Sequence, residues 1–194
     1  ASVLPRLFSV ARARVAAGED ARRELEAAIV TLTVHGLSLP LEPALGEEAP
    51  APLPHVGYAL HERTDLSLHF LVSAAATLLA ERAVADALGL AKELRDRDDA
   101  DGSGFSFADL AADRAGVRLM EEGTRSPARL AALIARLAQP LEDADLVPAV
   151  AELPEGMDAD AFRRAYGDVD SEAYRALVAA IDRDIAACDA HRAL

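Results

Sequence analysis

Cysteine, tryptophan and lysine are almost missing from this 194-residue sequence, which has one Cys, no Trp and a single Lys at position 92. A lone cysteine excludes a disulfide within the chain and any zinc site built from several cysteines, and it leaves the redox compartment open. Only five Phe and three Tyr are present, so the core must come from Ala, Leu and Val. Such small and branched side chains favour close packing of helix against helix.

Long apolar runs and an excess of positive charge are missing as well. The two longest uncharged runs, 27–41 and 66–80, are fifteen residues each, whereas a membrane-spanning helix needs about 20. We therefore expect no transmembrane segment, and we find no signal peptide in these residues. Twenty Lys and Arg against thirty-three Asp and Glu give a net charge of −13, which repels phosphate backbones and predicts no nucleic-acid partner.

Helical periodicity dominates what the sequence does contain. Apolar residues recur every three or four positions, and no stretch alternates convincingly as a strand does. The pattern predicts an all-α fold: one domain over 1–194, a compact bundle of about six or seven helices with one long Pro-rich connection at 36–63. The predicted helices are 4–17, 20–35, 66–80, 82–97 (joined to the one before or separate), 107–122, 127–138, 158–166 and 171–191.

Two serines mark helix starts. Ser106, followed three positions later by Asp109, forms a capping box that opens the helix ending near residue 122. Ser126 precedes a proline at the first helical turn. In the first of these helices, Asp113 shares a face with Asp109 and Gly116, and that glycine would allow another helix to approach closely.

Polar side chains one helical turn apart are concentrated between residues 65 and 119. Three pairs have this spacing: Asp65 with His69, Lys92 with Asp96, and Asp109 with Asp113. Residues four apart share one helix face, so a bundle that turned these faces inward would gather an internal polar cluster. Its best candidates for chemistry are His69, Glu93 and Asp113.

His69 has two interpretations. A histidine in an apolar helix is commonly a core residue with satisfied hydrogen bonds. Alternatively, Asp65 one turn earlier could fix the tautomer of a metal-binding ring, although Asp65 also stands where a helix N-cap belongs. Asp113 has no such capping role and should be a buried acid. Lys92, Arg114 and Arg118 could balance the buried carboxylates.

A divalent metal is one ligand that this cluster could hold. Imidazole and carboxylates form a plausible N/O ligand set, to which His55 and His61 of the preceding loop could be added. The spacing matches no metalloprotease or zinc-finger motif, and the acidic turn at 96–104 lacks the glutamate that closes a calcium loop. Cys188, three positions from His191, has no activating cation nearby and should be inert. The candidate ligands are His69, Asp65, Glu93, Asp96, Asp109 and Asp113.

The order of motifs across 65–119 resembles a known family. Asp-x-x-x-His-Phe, Gly-x-x-Lys-Glu-Leu-x-Asp, and Gly-Ser-Gly-Phe-Ser-Phe-x-Asp with Asp-x-Ala-Gly follow one another as in the YfiM-like bacterial envelope proteins. The resemblance implies an exported, periplasmic or envelope-associated protein of unknown function, with lipid anchoring left open. Two functions remain open. The resemblance supports a non-catalytic structural or binding protein with a protein or envelope partner, whereas the polar residues themselves suggest a metal-dependent hydrolase that uses His69 and nearby carboxylates.

Overall fold

The computed structural model describes residues 3–38, 57–79 and 104–194. Within these residues the chain forms nine helices and no strand, which confirms the all-α prediction. Seven helices have eight or more residues, and two are single turns. They are α1 (Val3–Ala16), α2 (Ala21–Gly36), α3 (Thr64–Leu79), α4 (Phe107–Thr124), α5 (Pro127–Leu137), α6 (Asp143–Leu146), α7 (Ala159–Tyr166), α8 (Glu172–Ala187) and α9 (Asp189–Arg192).

Five of the helices begin with a side chain that caps the first turn. Ser106 and Ser126 cap α4 and α5 as predicted, since each side chain accepts a hydrogen bond from the backbone N–H three positions on. Asp20, Asp158 and Ser171 do the same for α2, α7 and α8. Each cap satisfies an N–H that has no partner within its helix.

Two predicted boundaries are wrong. Asp65 lies inside α3 rather than capping it, because the helix already begins at Thr64. The single helix predicted at 171–191 ends at Ala187, and Cys188 has extended backbone angles (φ −62°, ψ 144°) before α9 begins. No glycine or proline marks this break. It turns the His191 ring towards the carbonyl of Leu146, an acceptor distant in sequence.

The end of the Pro-rich connection is a tight turn before α3; residues 39–56 of that connection lie outside the described ranges. Leu60 and Arg63 exchange backbone hydrogen bonds, and His61 and Glu62 between them have positive φ angles of 50° and 64°. Two hydrogen bonds hold the turn against α6 and the residue that follows it. The His61 backbone N–H donates to Asp143, and the His61 ring Nε2–H donates to the Val147 carbonyl. The His61 ring is therefore engaged away from His69.

The helices enclose one buried hydrophobic cluster to which all nine described helices contribute. Among the described helices, α3 and α4 make the most extensive contact, and α2, α5 and α8 pack around this pair. An aromatic corner lies where α4 begins, formed by Phe105, Phe107, Phe162, Tyr166 and Tyr174 with ring centroids 4.7–6.2 Å apart. Phe105 and Phe107 are fully buried there.

Candidate functional site: the polar cluster between two helices

Gly116 sets the distance between α3 and α4. A Cβ atom at this position would collide with the carbonyl oxygen of Phe70 and would lie 3.1 Å from the backbone nitrogen of Ala74. Glycine removes that collision, so the two backbones approach more closely than any other residue would permit. The polar side chains of the two helices consequently come within hydrogen-bonding reach of each other.

Four side chains meet at this crossing, and we call them the His69 cluster: His69 and Ser73 from α3, Asp109 and Asp113 from α4. His69 Nδ1 lies 3.2 Å from both carboxylate oxygens of Asp113, and its Nε2 lies 3.4 Å from Asp109 Oδ2. The Ser73 hydroxyl donates to Asp113 Oδ1 at 2.6 Å. Two helix faces predicted to point inward therefore do meet, and both acids of the α4 pair contact the same imidazole.

The cluster is nearly closed to solvent. The side chains of His69, Asp109 and Asp113 are 11%, 8% and 9% exposed, and Ser73 is buried. A buried carboxylate is costly unless charges or donors surround it. The imidazole and the hydroxyl supply those partners here, since each ring nitrogen of His69 lies beside a carboxylate and the Ser73 hydroxyl donates to Asp113.

Arg63 continues the network towards solvent. Its guanidinium binds Asp65 through two nitrogens at 2.6 and 3.2 Å, reaches Glu155 at 2.7 Å and lies 3.4 Å from Asp109 Oδ1. The hydrogen bond from Arg63 holds the pKa of Asp65 below its usual value. The structure thus corrects one prediction: Asp113 and Asp109 hold the His69 ring, whereas Asp65 pairs with Arg63 because the arginine is only two residues away.

Two other predicted participants have different partners. Arg114, expected to balance the buried acids, forms a two-pronged ion pair with Asp182 of α8 at 2.6 and 2.7 Å. Arg118 lies near His191, where its positive charge disfavours protonation of that ring. Within the described residues, the positive side chain that reaches the cluster is Arg63.

The other predicted participants lie outside the described ranges. They are the predicted ligands Glu93, Asp96 and His55, and Lys92, which was expected to balance the buried acids. Across residues 3–38, 57–79 and 104–194, no group of three or more His, Cys, Asp and Glu side chains is arranged to hold a metal ion. A metal site that included Glu93 or Asp96 stays a prediction.

Sequence reasoning missed Ser73 and Arg63. Ser73 lies one turn after His69 on the same helix face, so the spacing that linked the other pairs could have found it. The role of Arg63 was harder to predict from sequence. Arg63 precedes α3, and its partner Glu155 is ninety-two positions away and comes close only in the folded chain.

A second buried histidine lies in α9. His191 is 5% exposed, donates from Nε2 to the Leu146 carbonyl at 2.9 Å, and has its pKa lowered to about 4, mainly by burial. Cys188 beside it is also buried, and burial raises the pKa of its thiol. A thiol with a raised pKa is a poor nucleophile, in agreement with the predicted inert role.

Comparison of the chain with protein-family models, with curated proteins and with solved structures finds no match. The resemblance of residues 65–119 to the YfiM-like proteins therefore stays a prediction. In the described part of the chain, no helix is both long and apolar enough to cross a bilayer.

Proposed function

We propose that this chain is an exported, envelope-associated bacterial protein without a catalytic role, in which the His69 cluster is a structural network joining α3 to α4. The non-catalytic role is supported by the hydrogen bonds of the cluster, because its polar groups bond to one another. Ser73 donates to Asp113, and each ring nitrogen of His69 faces a carboxylate.

Catalysis or metal binding would need a different arrangement of these groups. A histidine that acts as a general base or ligand uses a free lone pair directed at substrate, water or metal. A serine nucleophile donates its proton to that base, whereas the Ser73 hydroxyl is bonded to Asp113. A buried and mutually bonded set of this kind is typical of a network that fixes how two helices pack.

The exported part of the proposal rests on the family resemblance of residues 65–119. The same resemblance supports a protein or envelope partner without identifying it. The net charge of −13 supports a partner other than nucleic acid. Fractionation of the native protein in its own host tests this part: we expect it with periplasmic and envelope markers, and recovery with cytosolic markers would contradict it.

A metal-dependent hydrolase is the second candidate, and one observation favours it. Asp109 and Asp113 both lie within 3.4 Å of a ring nitrogen of His69, so an imidazole and two carboxylates are already gathered. Rotation of the His69 ring away from one acid would leave N and O donors of the type that divalent ions bind. One of the carboxylates would then act as the general base.

A melting series separates the two functions. The parent protein and His69→Ala are heated with and without zinc, manganese or calcium, and His35→Ala serves as the control for loss of a different half-buried histidine. We expect no metal-dependent rise in melting temperature for any of them. A rise in the parent and the control that disappears in His69→Ala and weakens below about pH 6 would make the hydrolase the leading account.

A further inference from the structure

A cavity of about 340 Å³ lies on the side of α3 that faces α2, separate from the His69 cluster. Its wall is built by the start of α1, by α2 and α3, by residues 57–60 and by residues 141–146. Pockets that take small molecules begin at about 300 Å³, and a single water occupies about 30 Å³ of liquid. The cavity is therefore large enough for a small organic molecule.

The floor of the cavity is apolar. Leu32, Phe70 and Leu71 contribute to it and are buried, at 3%, 2% and 5% exposure. The polar groups beside them are already bonded, since the Ser67 hydroxyl donates to backbone carbonyls and the Tyr58 hydroxyl bonds to His35 Nδ1 at 2.7 Å. The floor thus offers a surface suited to hydrocarbon.

The rim has the opposite character. Glu142 and Asp143 line the cavity and are exposed to solvent, and they are the only charged side chains among its described lining residues. One oxygen of Asp143 accepts from the His61 backbone N–H, which fixes the carboxylate at the rim. An apolar floor below two carboxylates is complementary to a molecule that has a hydrocarbon part and a positively charged head.

We propose that this cavity binds a small amphipathic amine, with its hydrocarbon against Leu32, Phe70 and Leu71 and its ammonium group at Glu142 and Asp143. Burial of the hydrocarbon supplies most of the affinity, and the rim carboxylates supply the selection for positive charge. None of the lining residues belongs to the His69 cluster. The test below can therefore fail while the proposed structural role of that cluster holds, and the reverse is also true.

The test compares three probes of equal chain length: octylammonium, octanol and octanoate. Each is titrated into the parent protein at neutral pH by isothermal calorimetry, with a thermal melt as an independent readout. We expect saturable binding of octylammonium, binding about tenfold weaker for octanol, and weaker still for octanoate, because the carboxylates attract one head group and repel the other.

Three variants locate the binding site. The double variant Glu142→Gln with Asp143→Asn keeps the side-chain acceptors but removes the charge, and it should bring octylammonium down to the affinity of octanol. Ala59→Phe adds bulk at an exposed lining position and should weaken both probes. Glu152→Gln removes one negative charge from an exposed residue that does not line the cavity, and it should change neither.

Two results would overturn the proposal. One is the absence of saturable octylammonium binding to the parent protein. The other is octylammonium affinity that Ala59→Phe and the double variant leave unchanged, which would place the amine elsewhere on this acidic surface. Melting curves of the unliganded variants show whether each is folded. If Ala59→Phe does not fold, the double variant against Glu152→Gln decides the outcome alone.

Discussion

His69 and His191 are both enclosed in the protein, but their surroundings are opposite. His69 lies between two carboxylates, with Arg63 beyond them. His191 instead bonds to a backbone carbonyl, and burial, with the positive charge of Arg118, lowers its pKa to about 4. Each residue has a potential partner one turn away in sequence, Asp65 or Cys188, and neither is the partner that decides its environment. What a buried histidine can do is set by the helices packed against it.

The largest expected effect is a loss of folding stability at low pH that is caused by His191. Its pKa is about 4 in the folded chain against about 6.5 when unfolded, so between these values the unfolded chain binds a proton that the folded chain does not. The free energy of unfolding should therefore fall as the pH is lowered through this window, by about 3 kcal/mol from this residue alone.

Urea unfolding at pH 7 and pH 4 measures this loss. His191→Gln should lose less stability than the parent over the same range, because the titrating group is gone. His61→Gln is the matched control, since it alters the imidazole bond to the neighbouring carbonyl of Val147. Equal losses in the parent and His191→Gln would mean that the ring is not buried as described.

Asp113→Ala tests the other histidine and should be the next largest effect. It leaves the His69 ring and the Ser73 hydroxyl without their acceptor, which should lower the free energy of unfolding by about 1–3 kcal/mol. Thermal or urea unfolding gives the value. Asp182→Ala removes the half-exposed carboxylate paired with Arg114, and as a control it should lose less than about 1 kcal/mol.

The double variant His69→Ala with Asp113→Ala sharpens this result. If the two side chains act as one network, the double variant loses less stability than the two single losses added together. Additive losses would show that the contact between His69 and Asp113 contributes nothing measurable, and the structural role proposed for the cluster would then be wrong.

Ser106→Ala should have a smaller effect, about 1 kcal/mol, because it removes the cap from the first turn of α4. Ser126→Ala, which uncaps α5, should lose a similar amount by thermal unfolding. The two caps differ in what lies beside them. The turn capped by Ser106 contains Asp109, which contacts His69. Coupling with His69→Ala is therefore expected for Ser106→Ala alone, and unchanged stability of Ser106→Ala would place the start of the helix elsewhere.

Glu62→Gly should give the smallest effect, a gain of about 0.5 kcal/mol. Glu62 has φ +64° in the turn before α3, a conformation that glycine adopts without the strain of a side chain. Glu152→Gly, an exposed position with negative φ, controls for the added freedom of the unfolded chain and should show no gain. A loss of stability in Glu62→Gly would mean that the Glu62 side chain has a role in the turn.

The sequence predicted what depends on neighbours within one turn. Ser106 and Ser126 were recognisable as caps because a cap and its target are three residues apart, and the shared inward face of Asp109 and Asp113 follows from helical spacing alone. Gly116 was recognisable as a close-approach position for the same reason. These local rules predicted the fold class and three of the four side chains of the His69 cluster, all but Ser73.

The features that could not be predicted from the sequence are those that depend on contacts between distant residues. Asp65 has the spacing to reach His69, but in the structure it binds Arg63 instead. The sequence spacing alone does not show which of these two partners is preferred. The break at Cys188 has no glycine or proline to announce it. It depends on the His191 ring reaching Leu146, forty-five positions away, which only the assembled helices make available.

The three tyrosines divide the molecule in a way that suits optical measurement. Tyr166 and Tyr174 belong to the aromatic corner at the start of α4, while Tyr58 lies on the wall of the cavity and bonds to His35. Because the chain has no tryptophan, tyrosine emission is not masked by energy transfer to a stronger fluorophore. A Tyr58→Phe variant would leave only the corner emitting, and the difference from the parent would isolate the signal of the cavity. Each region can thus be followed during unfolding without a dye or an attached label.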